Sequence, residues 1–194
     1  MCNHTGIIIV GYAAPGVPQI GGECNMDEKF IVGIIVSNHF GVLNRVAGLY
    51  AKRGYNIDSL AVGETENPAY SRMTIVSTGD EYMKNQVLRQ LEKLQDVKMV
   101  VLLEEDNSVS IEHMLIKLKV GGDGKAAISG LINDFGGKVM DFGDSFITAE
   151  IAGSSEKIER FIDATRGVGI MEICRSGLIS MIQGTEDVLS IGTR

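Results

Sequence analysis

No lysine or arginine occurs before Lys29, so the basic n-region of a secretory signal and the arginine-rich character of a transit peptide are both missing. The apolar run in that stretch, Ile7 to Val10, is far shorter than the roughly 20 residues a membrane-spanning helix needs. A cytoplasmic protein with no membrane partner is therefore expected. Positive charge is sparse and scattered elsewhere too: 18 Lys+Arg stand against 25 Asp+Glu, a net charge of −7, leaving no electrostatic footprint for nucleic acid. Cysteine is limited to Cys2, Cys24 and Cys174, an odd number without regular spacing, which fits reduced thiols rather than a disulfide framework. The trio Cys2, His4 and Cys24 matches no metal-site pattern. There is also no Ser/Cys–His–carboxylate order with a supporting motif and no phosphate-cradling glycine loop, so catalysis by this chain is not expected.

What is present is an ordinary globular composition, 44% hydrophobic and 22% charged over 194 residues, enough for one or two small domains. Residues 1–27 hold Pro15, Pro18, Gly11, Gly16, Gly21 and Gly22 and are read as a flexible N-terminal extension, with a misassigned start ahead of Met26 as the alternative. Beyond them the order is regular. Lys29 to Val36 is β-rich, and Leu43, Val46, Ala47 and Tyr50 mark one face of a helix over Val42 to Arg53. Ile57 to Gly63 and Ser71 to Thr78 read as strands. Thr78-Gly79-Asp80-Glu81 has capping-box spacing for a helix carrying Met83, Val87, Leu91 and Leu94, and Val97 to Leu103 is an apolar strand.

The pattern then repeats after a polar linker, residues 105–111. Glu112 to Val120 alternates as a strand, Ile128, Leu131, Ile132 and Phe135 mark a helix, and Lys138 to Phe142 pairs with Phe146 to Ala152 across Gly143-Asp144. Ser154-Ser155 caps a helix bearing Ile158, Phe161 and Ile162, and Ile170 to Cys174 is the last strand. This makes an α+β protein of two tandem ferredoxin-like βαββαβ domains, residues 28–104 and 112–184, with a tail at 185–194. Helices cover one face of each sheet, so the bare face should be buried against a partner, and a homodimer is expected. An RNA-binding version of the same order needs paired aromatics on central strands and a basic face, which Phe30 and Tyr70 do not supply.

The turn Asn38-His39-Phe40-Gly41 carries the strongest functional signal. It joins an amide, a glycine and a helix N-terminus, where unpaired N–H groups and a partial positive charge suit a carboxylate. Asn and Gly are equally the ordinary residues of a strand-to-helix turn, and Asn56 equally the residue of a turn before the next strand.

The segment FIVGIIVSNHFGVLNRVAGLYAKRGYNIDSL, followed by AVGETENPAYSRMTIVSTGD, resembles the amino-acid-binding ACT domain of the small regulatory subunit of acetolactate synthase, or acetohydroxyacid synthase. The resemblance continues through LEKLQDVKMVVLLEED, EHMLIKLKV and the late CRSG at Cys174 to Gly177, and covers about residues 28 to 184. RGYNIDSL joined to SRMTI is its most specific part. Phe40 departs from it, standing where the family usually has a small residue or proline, and the extension before Met26 has no counterpart.

The resemblance implies a regulatory role. Subunits of this family bind and activate a catalytic large subunit, which holds thiamine diphosphate, Mg and FAD, and confer feedback inhibition by branched-chain amino acids, usually valine. The effector sits at the interface of two ACT domains. Carried over, Asn38, His39, Phe40, Gly41, Val42 and Leu43 hold the effector's charged end, and Asn56 with Ile57 comes from the facing protomer. Backbone N–H groups from Gly41 to Leu43 would take the carboxylate, while the oxygens of Asn38 and Asn56 accept from the ammonium. A free-standing ACT-type sensor of another enzyme or a transcription factor is the competing reading.

Overall fold

Glu28–Ser37 forms β1, an alternating strand whose Phe30, Val32, Ile34 and Val36 lie in the first core. A computed structural model describes residues 27–121 and 124–184; the rest of the N-terminal extension, the Cys2–His4–Cys24 trio and the tail lie outside the described residues. After β1 come α1 (Val42–Arg53), β2 (Ser59–Glu64), β3 (Tyr70–Gly79), α2 (Glu81–Leu91) and β4 (Val97–Leu103). The second unit repeats the order as β5 (Ser108–Lys119), α3 (Gly124–Asp134), β6 (Lys138–Phe142), β7 (Phe146–Gly153), α4 (Ser155–Thr165) and β8 (Ile170–Ile182). The sheets are antiparallel, ordered β2-β3-β1-β4 and β6-β7-β5-β8, the same topology twice, as two ferredoxin-like units require. Among the described residues no helix is long and apolar enough to cross a membrane.

Each core lies between a sheet and its two helices. Val46, Tyr50, Val87 and Leu91 pack against Val32, Ile34, Met73 and Ile75 in the first, and Ile132, Ile158 and Phe161 against Met114, Ile116, Ala149 and Ile151 in the second. Each fully buried large aliphatic or aromatic side chain contributes about 1.5–3 kcal/mol. α1 stops at Gly54, in left-handed backbone (φ 70), whose N–H returns to the Ala51 carbonyl.

Four details depart from the sequence reading. The cap of α2 is Asp80, which accepts from Met83 N–H (2.7 Å), because Thr78 is still paired within β3 and its hydroxyl is given to Asp58. β5 already begins at Ser108, so the connection expected to run through residue 111 shortens to a turn over 104–107, held by Glu104 N–H to Asn107 Oδ1 (2.8 Å). β8 does not stop at Cys174 but continues to Ile182 past a register shift. Finally, among the described residues only the second sheet keeps a bare apolar face, with Val109, Ile111, Leu115, Ile179 and Met181 exposed. The first sheet is partly covered, since β8 touches β2, β3 and β4, and Val76 and Leu103 are buried.

Candidate functional site

The turn between β1 and α1 is tied down on two sides. Ser37 N–H donates to the Asp96 carbonyl and Asn38 N–H to the Ala69 carbonyl, both at 2.8 Å. The mostly buried Asp96 carboxylate lies 2.9 Å from His39 Nε2 and accepts from Arg45 Nε at 2.6 Å. His39 thus fixes the turn from within the chain.

Gly41 is the N-cap of α1, with φ 87 and ψ −7, and no side chain caps the helix. That left-handed conformation favours glycine, and a Cβ added there would meet nothing nearer than Arg45 Nη1 at 3.9 Å. Val42 N–H makes a long contact with the His39 carbonyl (3.5 Å); the other first-turn N–H groups have no side-chain cap, and the helix dipole favours an anion there. Arg45 Nη1 lies beside the same spot, its guanidinium charge shared with Asp96 through Nε.

Asn38 uses both amide hydrogens, one to the Pro68 carbonyl (2.9 Å) and one to Glu64 Oε1 (3.1 Å). Both partners only accept, so the amide orientation is fixed and Oδ1 remains as an acceptor. Asn56 is similar: Nδ2 donates to Asp58 Oδ1 (2.6 Å), leaving its oxygen free. Asp58 in turn accepts from Thr78 Oγ1 at 2.7 Å. Two exposed amides with fixed, unused oxygens suit an ammonium, and Glu64 supplies a carboxylate beside the first.

The apolar members divide. Val42 is buried in the core, so only its backbone is available, and Ile57 packs partly against the same core. Phe40 is fully exposed and Leu43 is 44% exposed. A small apolar side chain would find these two, but among the described residues nothing closes over them.

The structure does not bring the whole predicted set together. Asn38 is bonded at Ala69, just ahead of β3, whereas Asp58 N–H bonds the Val76 carbonyl near its far end. Seven residues of extended chain at about 3.3 Å each put the turn and Asn56 on the order of 20 Å apart in one protomer. A small amino acid cannot bridge that distance. Asn38, Gly41 and Leu43 lie together at one end of β3, and Asn56 lies at the other.

Three residues were missed by sequence reasoning. Arg45 and Glu64 carry no local signal and become neighbours of the turn only through the fold. Arg175, in the CRSG segment, has a visible motif but no visible role. It reaches Glu112 through Nε (2.5 Å) and Nη2 (2.9 Å) and Glu159 through Nη1 (2.6 Å). This holds the Glu112 carboxyl, 4% exposed, below the usual carboxylate range despite its burial.

Comparison with known proteins agrees with this architecture. A family model described as the AHAS small subunit-like ACT domain matches residues 32–99, and one described as the small subunit of acetolactate synthase matches residues 111–184. The acetolactate synthase isozyme 3 small subunit of Escherichia coli is 39% identical over 155 residues, covering 79% of this chain and 95% of that relative. A probable acetolactate synthase small subunit of Archaeoglobus fulgidus is 41% identical over 159 residues, covering 81% and 99%. The crystal structure of the acetolactate synthase small subunit from Thermotoga maritima superposes with a TM-score of 0.76 at 35% identity, over 82% of this chain and 99% of that one.

Proposed function

Because the chain belongs to the family of acetolactate synthase small subunits, we propose that it is the regulatory subunit of that enzyme in valine, leucine and isoleucine biosynthesis. It makes no acetolactate itself. It activates a cytoplasmic catalytic large subunit, which carries the thiamine diphosphate, Mg and FAD, and makes that enzyme sensitive to a branched-chain amino acid such as valine. The observation that carries the effector reading is the uncapped start of α1 beside Gly41 and Arg45, together with amide oxygens of Asn38 and Asn56 left unused by fixed bonds. A zwitterion leaving water needs both charges matched, and these groups offer N–H donors to one end and acceptors to the other. Exposed Phe40 and Leu43 supply apolar wall.

Purified chain is expected to bind valine, leucine or isoleucine in a calorimetric titration and to raise the turnover of its catalytic subunit, while producing no acetolactate from pyruvate alone. One methylene in an apolar pocket is worth only about 1–3 kcal/mol, so all three amino acids belong in the titration. Acetolactate made by the chain alone would overturn the regulatory reading, and failure of all three to bind would overturn the effector site.

The separation of the two asparagines supports a site shared by two protomers, each giving its turn to the other's Asn56. Asn38→Ala and Asn56→Ala are each expected to weaken binding. In a separated heterodimer of the two single mutants, one pocket is intact and the other doubly damaged, so about half of the high-affinity sites should return. Zero restored sites in the titration would sink the shared pocket.

A further inference from the structure

β8 is the strand through which the second domain touches the first, and it does so at an irregularity. The register shift in β8 leaves Ser176 and Gly177 opposite His113, whose N–H donates to Ser176 Oγ at 3.1 Å. Such a bulge bends a strand and re-aims the residues beyond it. Before it, Arg175 is clamped by Glu112 and Glu159. After it, Gly177 takes left-handed backbone (φ 75), and an added Cβ would stand 2.6 Å from Ser59 Oγ. The same oxygen accepts Leu178 N–H at 3.1 Å, a hydrogen bond between the domains.

Ser59 opens β2 and stands three positions after Asn56. The intervening Asp58 is bonded to Asn56 on one side and Thr78 on the other, so the segment is a short, braced piece of chain rather than a loose loop. Beside it a cleft of ≈1380 Å³ separates the domains, bounded by Asp58, Ser59, Glu112, Arg175 and Leu178. The covalent connection between the units is the turn over 104–107. A short connection and an open cleft are the geometry in which one domain can rock on another about a single corner, here that of β8.

Resting on the effector reading above, we propose that the contact of Ser59 with Gly177 and Leu178 is where effector binding is passed to the second domain. An ammonium on Asn56 Oδ1 polarises the amide toward Asp58 and strengthens the existing brace over residues 56 to 58. Ser59 is thereby held in the orientation that accepts Leu178 N–H, and the cleft takes one of its two settings. An effector shifts an equilibrium only by its differential affinity for the two states, and this contact is what makes the states differ at Asn56. Because the site is shared, an amino acid seated on one protomer's turn acts on the domain contact of its partner.

The test uses the full chain and the enzyme assembled with its catalytic subunit. Ser59→Ala removes the acceptor without adding bulk; Gly177→Ala pushes a methyl into Ser59 from the opposite side. For each, the dissociation constant of valine, leucine and isoleucine on the chain is compared with inhibition of the assembled enzyme, with thermal melting as the check on folding. The expected result for Ser59→Ala is binding within about threefold of wild type, uninhibited rate within about twofold, and inhibition at saturating effector reduced to less than half its wild-type extent. Gly177→Ala should give the same uncoupling. Full inhibition in both folded variants overturns the proposal, as does loss of binding by folded Ser59→Ala, which would make Ser59 part of the pocket. If wild-type chain itself binds none of the three, the effector reading has failed and the relay falls with it.

Discussion

Gly41→Asp is expected to abolish feedback inhibition while activation of the catalytic subunit survives. The substitution puts a carboxylate at the helix N-terminus where the effector's own carboxylate is expected, within reach of the Arg45 guanidinium. The new charge takes the favourable field and repels the ligand. Left-handed backbone costs a non-glycine residue roughly 1–2 kcal/mol, and aspartate is among those that tolerate it best. With nothing within 3.9 Å of the added Cβ, the fold should persist with a modest loss of stability. The effector dissociation constant is expected to rise at least about 100-fold, or ~2.8 kcal/mol at ~1.4 kcal/mol per decade. Titration of the isolated variant and inhibition of the assembled enzyme both read this out. An unchanged inhibition constant would mean that the effector binds elsewhere.

The second large effect concerns stability. Arg175→Ala removes two of the three hydrogen bonds held by Glu112, leaving a carboxylate that is 4% exposed with only Ser155 Oγ at 3.2 Å. Breaking a buried ion pair from one side costs about 3–5 kcal/mol, and the low end applies because Arg175 is itself partly exposed and water can enter by the cleft. A drop of about 3 kcal/mol in unfolding free energy is therefore expected. The double variant Glu112→Gln, Arg175→Met should lose much less, since no charge is stranded.

The direction of the Glu112 shift sets the pH dependence. In the wild type, the hydrogen bonds from Arg175 hold its carboxyl below the ordinary value, so this contribution is complete above about pH 5 and lost as pH falls through the folded-state pKa. In Arg175→Ala burial is opposed only by Ser155 and the nearby Lys29 charge, and the carboxyl takes up a proton more readily. The stability gap between the two proteins should narrow as pH falls from 7 to 4. Melting curves that stay equally far apart over that range would show that the Glu112 charge is not the source of the loss.

The periodic parts of the fold were legible in the sequence because burial imposes the period. Val87 and Leu91 of α2 and Ile158, Phe161 and Ile162 of α4 are buried as the helical spacing required. In α1 Val46 and Tyr50 are buried as expected, but the first turn buries Val42 and leaves Leu43 exposed. An apolar side chain at a helix start reads as core in any periodicity count, although here it stands at the candidate pocket. β8 was cut short because Arg-Ser-Gly is turn chemistry by composition, whereas the structure uses it as a bulge inside one long strand. The site was legible in the residues as types, and its division between two protomers only as what the family resemblance implied. A sequence contains no register, so the placement of Asn38 and Asn56 at opposite ends of β3 could not be read from their spacing.

That placement has a consequence for assembly. If the proposed pocket takes its halves from two chains, filling it is second order in protein, so the ligand and the partner chain are drawn from solution together. Binding energy won by the amino acid is then also energy of association, and the small molecule acts as a rivet between subunits. Apparent affinity becomes a function of how much protein is present, and a cell that makes more of this chain makes it more responsive at the same amino-acid level.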